Sequence, residues 1–306
     1  MPLARSVPQL LKAPFSQAPF APTGRVRPAW VRPVVLVVLF VAVTGLGAGV
    51  TGAADNSPVL ALPAGAAVAA LALTLYAAVV RRLEQRPVSE LDPMEAVTAL
   101  RTGTLAGLGL FTATLLLIVL FGGAYGTRGG VSVGGALTLL GTMAGVAVAE
   151  ELLFRGVVFR LVEEVSGTWV ALAFSSVLFG GLHLVNEKAT VWGALAIAVE
   201  AGLMLGVVYA ATRTLWLPIG LHFGWNFALT GIFGTTVSGS EGTPDGLLQG
   251  VLTGPEALTG GDFGPEASIM AILACSVPTV VCLRLAGRRG RIRPRRPLRP
   301  APADAA

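Results

Sequence analysis

"VSVGGALTLLGTMAGVAVAEELLFRGVVFRLVEE", residues 131–164, begins as a stretch of membrane core and ends in charge. Residues 131–148 hold no charged side chain, and the apolar character resumes at Val157. Between them, "AEELLFRG" (149–156) places two adjacent carboxylates and an arginine. A helix crosses a bilayer with about 20 predominantly apolar residues. An ionisable group at that depth costs about 3 kcal/mol on insertion scales, so it faces a partner or a cavity. Glu151 and Arg155 are four apart, share a helix face and can pair. Glu150 points about 100° away and is free to look elsewhere. One carboxylate for structure and one for chemistry is the expected division. The plainer alternative is an interfacial ion pair beside Arg160, Glu163 and Glu164.

The rest of the chain agrees with a membrane setting. It is 54% hydrophobic and 13% charged, with mean hydropathy +0.74; soluble domains carry roughly a quarter charged residues. We read an all-α, polytopic membrane protein of about eight transmembrane helices, near 34–53, 58–80, 103–126, 132–154, 168–186, 190–211, 215–235 and 268–285. Arginine supplies almost all of the net charge of +5, since Lys12 and Lys188 are the only lysines. Eight crossings put Arg25, Arg27, Arg32, Arg81, Arg82, Arg86, Arg101, Arg155, Arg160, Arg213 and the arginines from Arg284 to Arg299 on one side. Only Arg128 and Lys188 fall on the other. The positive-inside rule then makes both termini cytoplasmic in a multi-pass cell-membrane protein. The Arg-over-Lys, Ala/Gly-rich composition points to a bacterial inner or plasma membrane. No aromatic-basic interleaving suggests nucleic acid. Cys275 and Cys282, seven apart on one helix, lie about 10 Å from each other by helical rise, too far for a disulfide.

Composition divides the chain further. Residues 1–32 read as a flexible cytoplasmic tail, and 33–131 as three transmembrane helices with a cytoplasmic linker at 81–101. In that linker Ser89 or Asp92 can cap a short amphipathic surface helix. Residues 132–235 read as a transmembrane core of the fourth to seventh helices, whose catalytic role is what the family resemblance below implies, 236–267 as an irregular extracytoplasmic loop rich in Gly and Pro, 268–286 as the last span and 287–306 as a basic cytoplasmic tail.

Both histidines of the chain lie inside predicted spans. Phe179 and His183 are four apart, so the ring can pack against the imidazole. His222 and Asn226 repeat the spacing and present two hydrogen-bond donors on one face, which suits a developing oxyanion. Pro218, just before them, is expected to loosen the helix. Each pair also has a plainer reading as interhelical glue. Glu200 is a lone mid-span acid, able to line the same cavity or to pair with Arg213 or Arg155, and carries no assigned role. Together a free carboxylate, two imidazoles and an amide make a hydrolytic set: the carboxylate takes a proton from water and imidazole protonates the leaving amine. Glu150, His183 and His222 could instead hold a zinc ion whose bound water attacks; no HExxH is present.

These motifs resemble the CAAX-processing and bacteriocin-processing intramembrane proteases, the CPBP or ABI family. Its pattern of EExxxR, FxxxH and HxxxN/D on successive helices stands here as "EELLFR" (150–155), "FGGLH" (179–183) and "HFGWN" (222–226). The resemblance implies that Glu150 activates water with His183 beside it, that His222 and Asn226 hold the oxyanion, and that Glu151, Arg155 and Phe179 support the site. It implies a CAAX-type (type II) endopeptidase acting on membrane-associated proteins or peptides in the lipid bilayer. The family is often labelled metalloprotease, but a route requiring no cofactor is expected here. The rival classes are a zinc-dependent version of the same hydrolysis, a proton-coupled transporter, and a non-catalytic immunity-type membrane protein. Straight helices with the drawn ends leave about 15 Å between Glu150 and His183. The site forms only if helices tilt, break or start deeper than drawn, for instance with the fourth helix running on to about residue 165.

Overall fold

A computed structural model describes residues 30–54, 57–241 and 244–295. The expected N-terminal tail up to residue 29, and the basic tail from residue 296, lie outside the described residues. Eight long helices occur among the described residues: α1 (Val31–Ala53), α2 (Pro58–Glu84), α3 (Pro93–Leu120), α4 (Val133–Ser166), α5 (Thr168–Val185), α6 (Val191–Thr212), α7 (Trp216–Asn226, extended to Ile232) and α8 (Ile269–Arg288). All but α7 are long and apolar enough to cross a membrane. The fold is an all-α polytopic membrane bundle.

Local chemistry sets the helix ends. Ser132, Thr190 and Ser268 accept hydrogen bonds from the backbone N–H three residues on, capping α4, α6 and α8. Asp92 does the same for Met94 N, with Pro93 in the first turn. That cap opens α3 itself, and the linker before it forms a single 3-10 turn at Ser89–Leu91 in place of a longer amphipathic helix. Gly167, at φ +83°, makes the tight turn between α4 and α5.

Close packing then brings these helices together. Gly103 and Gly107 on α3 face Gly220 and Gly224 on α7, and a Cβ at Gly107 would fall 2.2 Å from Leu221 O. Two small-xxx-small stripes therefore let the two backbones touch. Gly141 and Gly145 of α4 approach Gly65 of α2 in the same way.

The charges gather at one end of the bundle. Arg160 bonds Glu84 at 2.7 Å, and Arg32 pairs with Glu164. Arg86 bonds Glu90, and Arg213 bonds Glu163 at 2.8 Å. Arg293 sits 3.7 Å from Glu163, while its backbone exchanges hydrogen bonds with Thr168. Long helices thus share one polar seam, as flanking arginines at a common membrane face require.

Residues 236–267 are more ordered than their composition suggests. Strand β2 (Gly250–Thr253) pairs antiparallel with β1 (Ala124–Thr127), Ala124 facing Thr253 and Thr127 facing Gly250. The segment then folds back over the helix ends, burying Phe263, Glu266 and Ser268.

Candidate active site

The fourth helix determines the level of the site. It runs unbroken to Ser166 before turning at Gly167 into α5. Glu150 and His183 stand at nearly equal separations from that turn, roughly 25 Å along the axis at 1.5 Å per residue. The gap expected from the shorter helix is therefore closed. Phe154 and Phe179 confirm the alignment, with ring centroids 4.7 Å apart.

Two of the three motif helices, α4 and α7, carry a π segment, and so does α6, whereas α5 with Phe179 and His183 has none. Leu152–Phe159 follows the two glutamates, Ala198–Leu203 contains Glu200, and Phe227–Ile232 follows Asn226. A π turn widens the helix by one residue, shifts its later face and leaves carbonyls available to other donors; such segments frequently occur at functional sites. Pro218 has no part in this: it lies in the first turn of α7, where a missing N–H is harmless.

The two carboxylates of the pair have different surroundings. Glu151 is fully buried. Its Oε1 accepts from Arg155 Nη1 at 2.6 Å and from His222 Nδ1 at 2.9 Å. Arg155, also buried, donates from Nη2 to the carbonyls of Ala201 and Gly202 at 3.0 and 3.1 Å, inside the π segment of α6. Its guanidinium lies 4.8 Å from the centre of the Phe179 ring. One arginine thus joins α4, α5 and α6. Glu150 keeps 22% of its side chain exposed and stands 3.8 Å from His222 Nε2.

His183 Nδ1 is 2.8 Å from Phe179 O. A carbonyl only accepts, so the proton is on Nδ1 and Nε2 is left for other work. Phe179 sits between the imidazoles, with its centroid 5.0 Å from that of His183 and 6.0 Å from that of His222. Glu150, His183, His222, Asn226 and Phe179 all line one cavity of about 330 Å3. Glu151 and Arg155 stand behind its wall. All seven residues singled out in the sequence are thereby brought together.

Sequence reasoning missed part of this cavity. Glu266, assigned to an exposed loop, is buried in its wall and accepts from Ser238 N (2.6 Å), Ser238 Oγ (2.8 Å) and Trp225 Nε1 (3.0 Å). No periodic signal marks an acid in a Gly/Pro-rich loop. Glu200 lines the same cavity, as one expectation held, but it pairs with neither Arg155 nor Arg213, whose donors go elsewhere.

Among the described residues no group of three or more His, Cys, Asp or Glu side chains is disposed to hold a metal ion. Glu150, His183 and His222 do not form such a group. Both cysteines are free thiols.

Residues 132–228, from the cap of α4 to just beyond Asn226, match the family model described as type II CAAX prenyl endopeptidase Rce1-like. This segment is an Rce1-like domain. The match takes in all three motifs and every residue assigned to the site, while α1 to α3 and α8 lie outside it. No curated protein matches the chain. No solved structure matches it. The Rce1-like domain supports a CAAX-type protease activity, seated in a multi-pass membrane protein.

Proposed function

We propose that the protein is an intramembrane endopeptidase that hydrolyses peptide bonds of membrane-associated proteins or peptides with a glutamate-activated water. The observation that carries the reading is the single cavity lined by Glu150, His183, His222 and Asn226. It lies roughly 15 Å above the Arg160–Glu84 ion pair that marks one membrane face, counting helical rise from Arg160 to Glu150. The arginine-rich end supports a cytoplasmic location for that face and for both termini of a bacterial cell-membrane protein.

Glu150 is the base. Its 3.8 Å separation from His222 Nε2 is too long for a direct hydrogen bond but suits one water touching both groups. The water oxygen attacks the carbonyl carbon and its proton passes to the Glu150 carboxylate. The carbonyl electron pair moves onto oxygen. Asn226 Nδ2 and a protonated His222 Nε2 donate to that oxyanion, while Glu151 holds the ring by its Nδ1. The oxyanion then re-forms the carbonyl as the C–N bond breaks, and the proton that Glu150 took from water passes to the leaving amine, directly or relayed through His183 Nε2. Arg155 holds the Glu151 carboxyl in place. No cofactor takes part in this route.

The test uses wild-type cells and a Glu150→Ala strain, comparing membrane-protein termini by mass spectrometry. Termini present only in the wild type are expected. Purified Glu150→Ala and His183→Ala should insert normally and lose cleavage by at least about a hundredfold, the scale of a positioned general base. Full activity in either variant refutes the mechanism.

A further inference from the structure

We propose that Glu200 forms a cation-accepting subsite, which takes the ammonium or guanidinium group of a basic side chain of the substrate. The inference rests on the endopeptidase reading for the word substrate, but not for the binding chemistry.

The cavity lining holds three carboxylates, Glu150, Glu200 and Glu266, and no lysine or arginine. Glu266 accepts three hydrogen bonds, so its acceptor capacity is taken up within the protein. Glu200 is different. It is 1% exposed, and neither of its oxygens has a hydrogen-bond partner. Buried carboxylates are ordinarily paired, because an isolated one loses its hydration without compensation. Arg155, the cation bonded to the same π segment, directs its terminal nitrogens to Glu151 and to the carbonyls of Ala201 and Gly202. Those carbonyls directly follow Glu200 in the chain, so Arg155 pins the π segment that carries Glu200 without neutralising it. The acid is thus fixed in the cavity wall with its pairing capacity unused.

The surroundings favour a cation over other occupants. Trp225 lines the cavity beside Glu266 and offers an aromatic surface. A carboxylate in a low-dielectric wall attracts a positive group and repels an acidic one. The volume, about 330 Å3, lies at the small end of ligand pockets. It fits one extended side chain and the peptide group to be cut. Glu200 is then a specificity-determining residue on the wall that Glu150 and His222 share.

The test measures binding apart from turnover. Full-length protein in lipid nanodiscs is titrated with n-butylguanidinium and with its neutral isostere n-butylurea, in wild type and in Glu200→Gln, Glu200→Asp and Glu150→Gln variants. The guanidinium is expected to bind at least tenfold more tightly than the urea in wild type, Glu200→Asp and Glu150→Gln. Glu200→Gln should abolish that preference while leaving the urea affinity unchanged, which shows that the cavity is intact. Equal binding of the two probes in wild type, no binding of either, or a preference kept by Glu200→Gln overturns the subsite. A peptide library in proteoliposomes separates the two readings. Cleavage without any preference for a basic residue removes the subsite and leaves proteolysis; selective binding without cleavage does the reverse.

Discussion

Replacing Arg155 tests the physical basis of the site most directly. The guanidinium is buried and serves three acceptors, Glu151 Oε1 and the carbonyls of Ala201 and Gly202. Arg155→Met keeps much of the volume and removes all of these bonds. Glu151 then remains buried with only His222 as partner, and its Oε2 already has none. Breaking one side of a buried pair costs about 3–5 kcal/mol, chiefly because the other charge is stranded. The two carbonyls add to this, although π segments can re-form bonds along the helix. A loss of about 4 kcal/mol is a large share of a typical total stability of about 5–15 kcal/mol. The second variant is Glu151→Gln, and the third combines both changes. The double variant strands no charge, so it should be more stable than the sum of the single losses by about 1–3 kcal/mol. Reversible unfolding in mixed micelles, followed by far-UV circular dichroism, gives all four corners of the cycle. A loss below about 1 kcal/mol in Arg155→Met, or strict additivity in the double variant, refutes the stranded-charge argument.

Other variants test the packing and the polar seam. Gly107→Ala would set a methyl 2.2 Å from Leu221 O, so α7 must move away from α3; a loss of about 1–3 kcal/mol is expected, together with reduced cleavage because His222 and Asn226 shift. Gly109→Ala meets nothing within 4 Å and should be neutral or slightly stabilising in the same melts. At the charged end, burial opposes ionisation of Glu90, but its hydrogen bonds and charge contact with Arg86 outweigh this and hold the carboxyl below its usual range. Its contribution is therefore fully present above the unfolded-state value of about 4.3 and is lost as pH falls through the lower folded value. Thermal melts from neutral to acid pH should show a shallower acid decline in Glu90→Gln than in wild type; parallel curves would contradict it. Phe179→Ala removes the ring between both imidazoles and Arg155, and should destabilise by about 3–5 kcal/mol while lowering kcat more than it changes KM.

The sequence by itself determined what depends on neighbours along one helix. The apolar runs mark the spans, and the four-residue spacings pair Glu151 with Arg155 and set Phe179 against His183. These contacts follow from 3.6 residues per turn, whatever the rest of the chain does. Only the tertiary structure decided which helices meet and at what depth. Lipid-facing and protein-facing positions are both apolar in a bilayer, so hydropathy does not say which face turns inward. The bond from His222 to Glu151 joins residues 71 apart, and it depends on α4 continuing to Ser166 and on glycine stripes that draw α7 onto α3. The π segments of α4, α6 and α7 shift the later face of each of those helices by roughly one residue, which no apolar period announces. Glu266 becomes a buried acceptor only because the loop carrying it folds over the cavity. Glu200 is left without a hydrogen-bond partner by packing that no spacing along its own helix reveals.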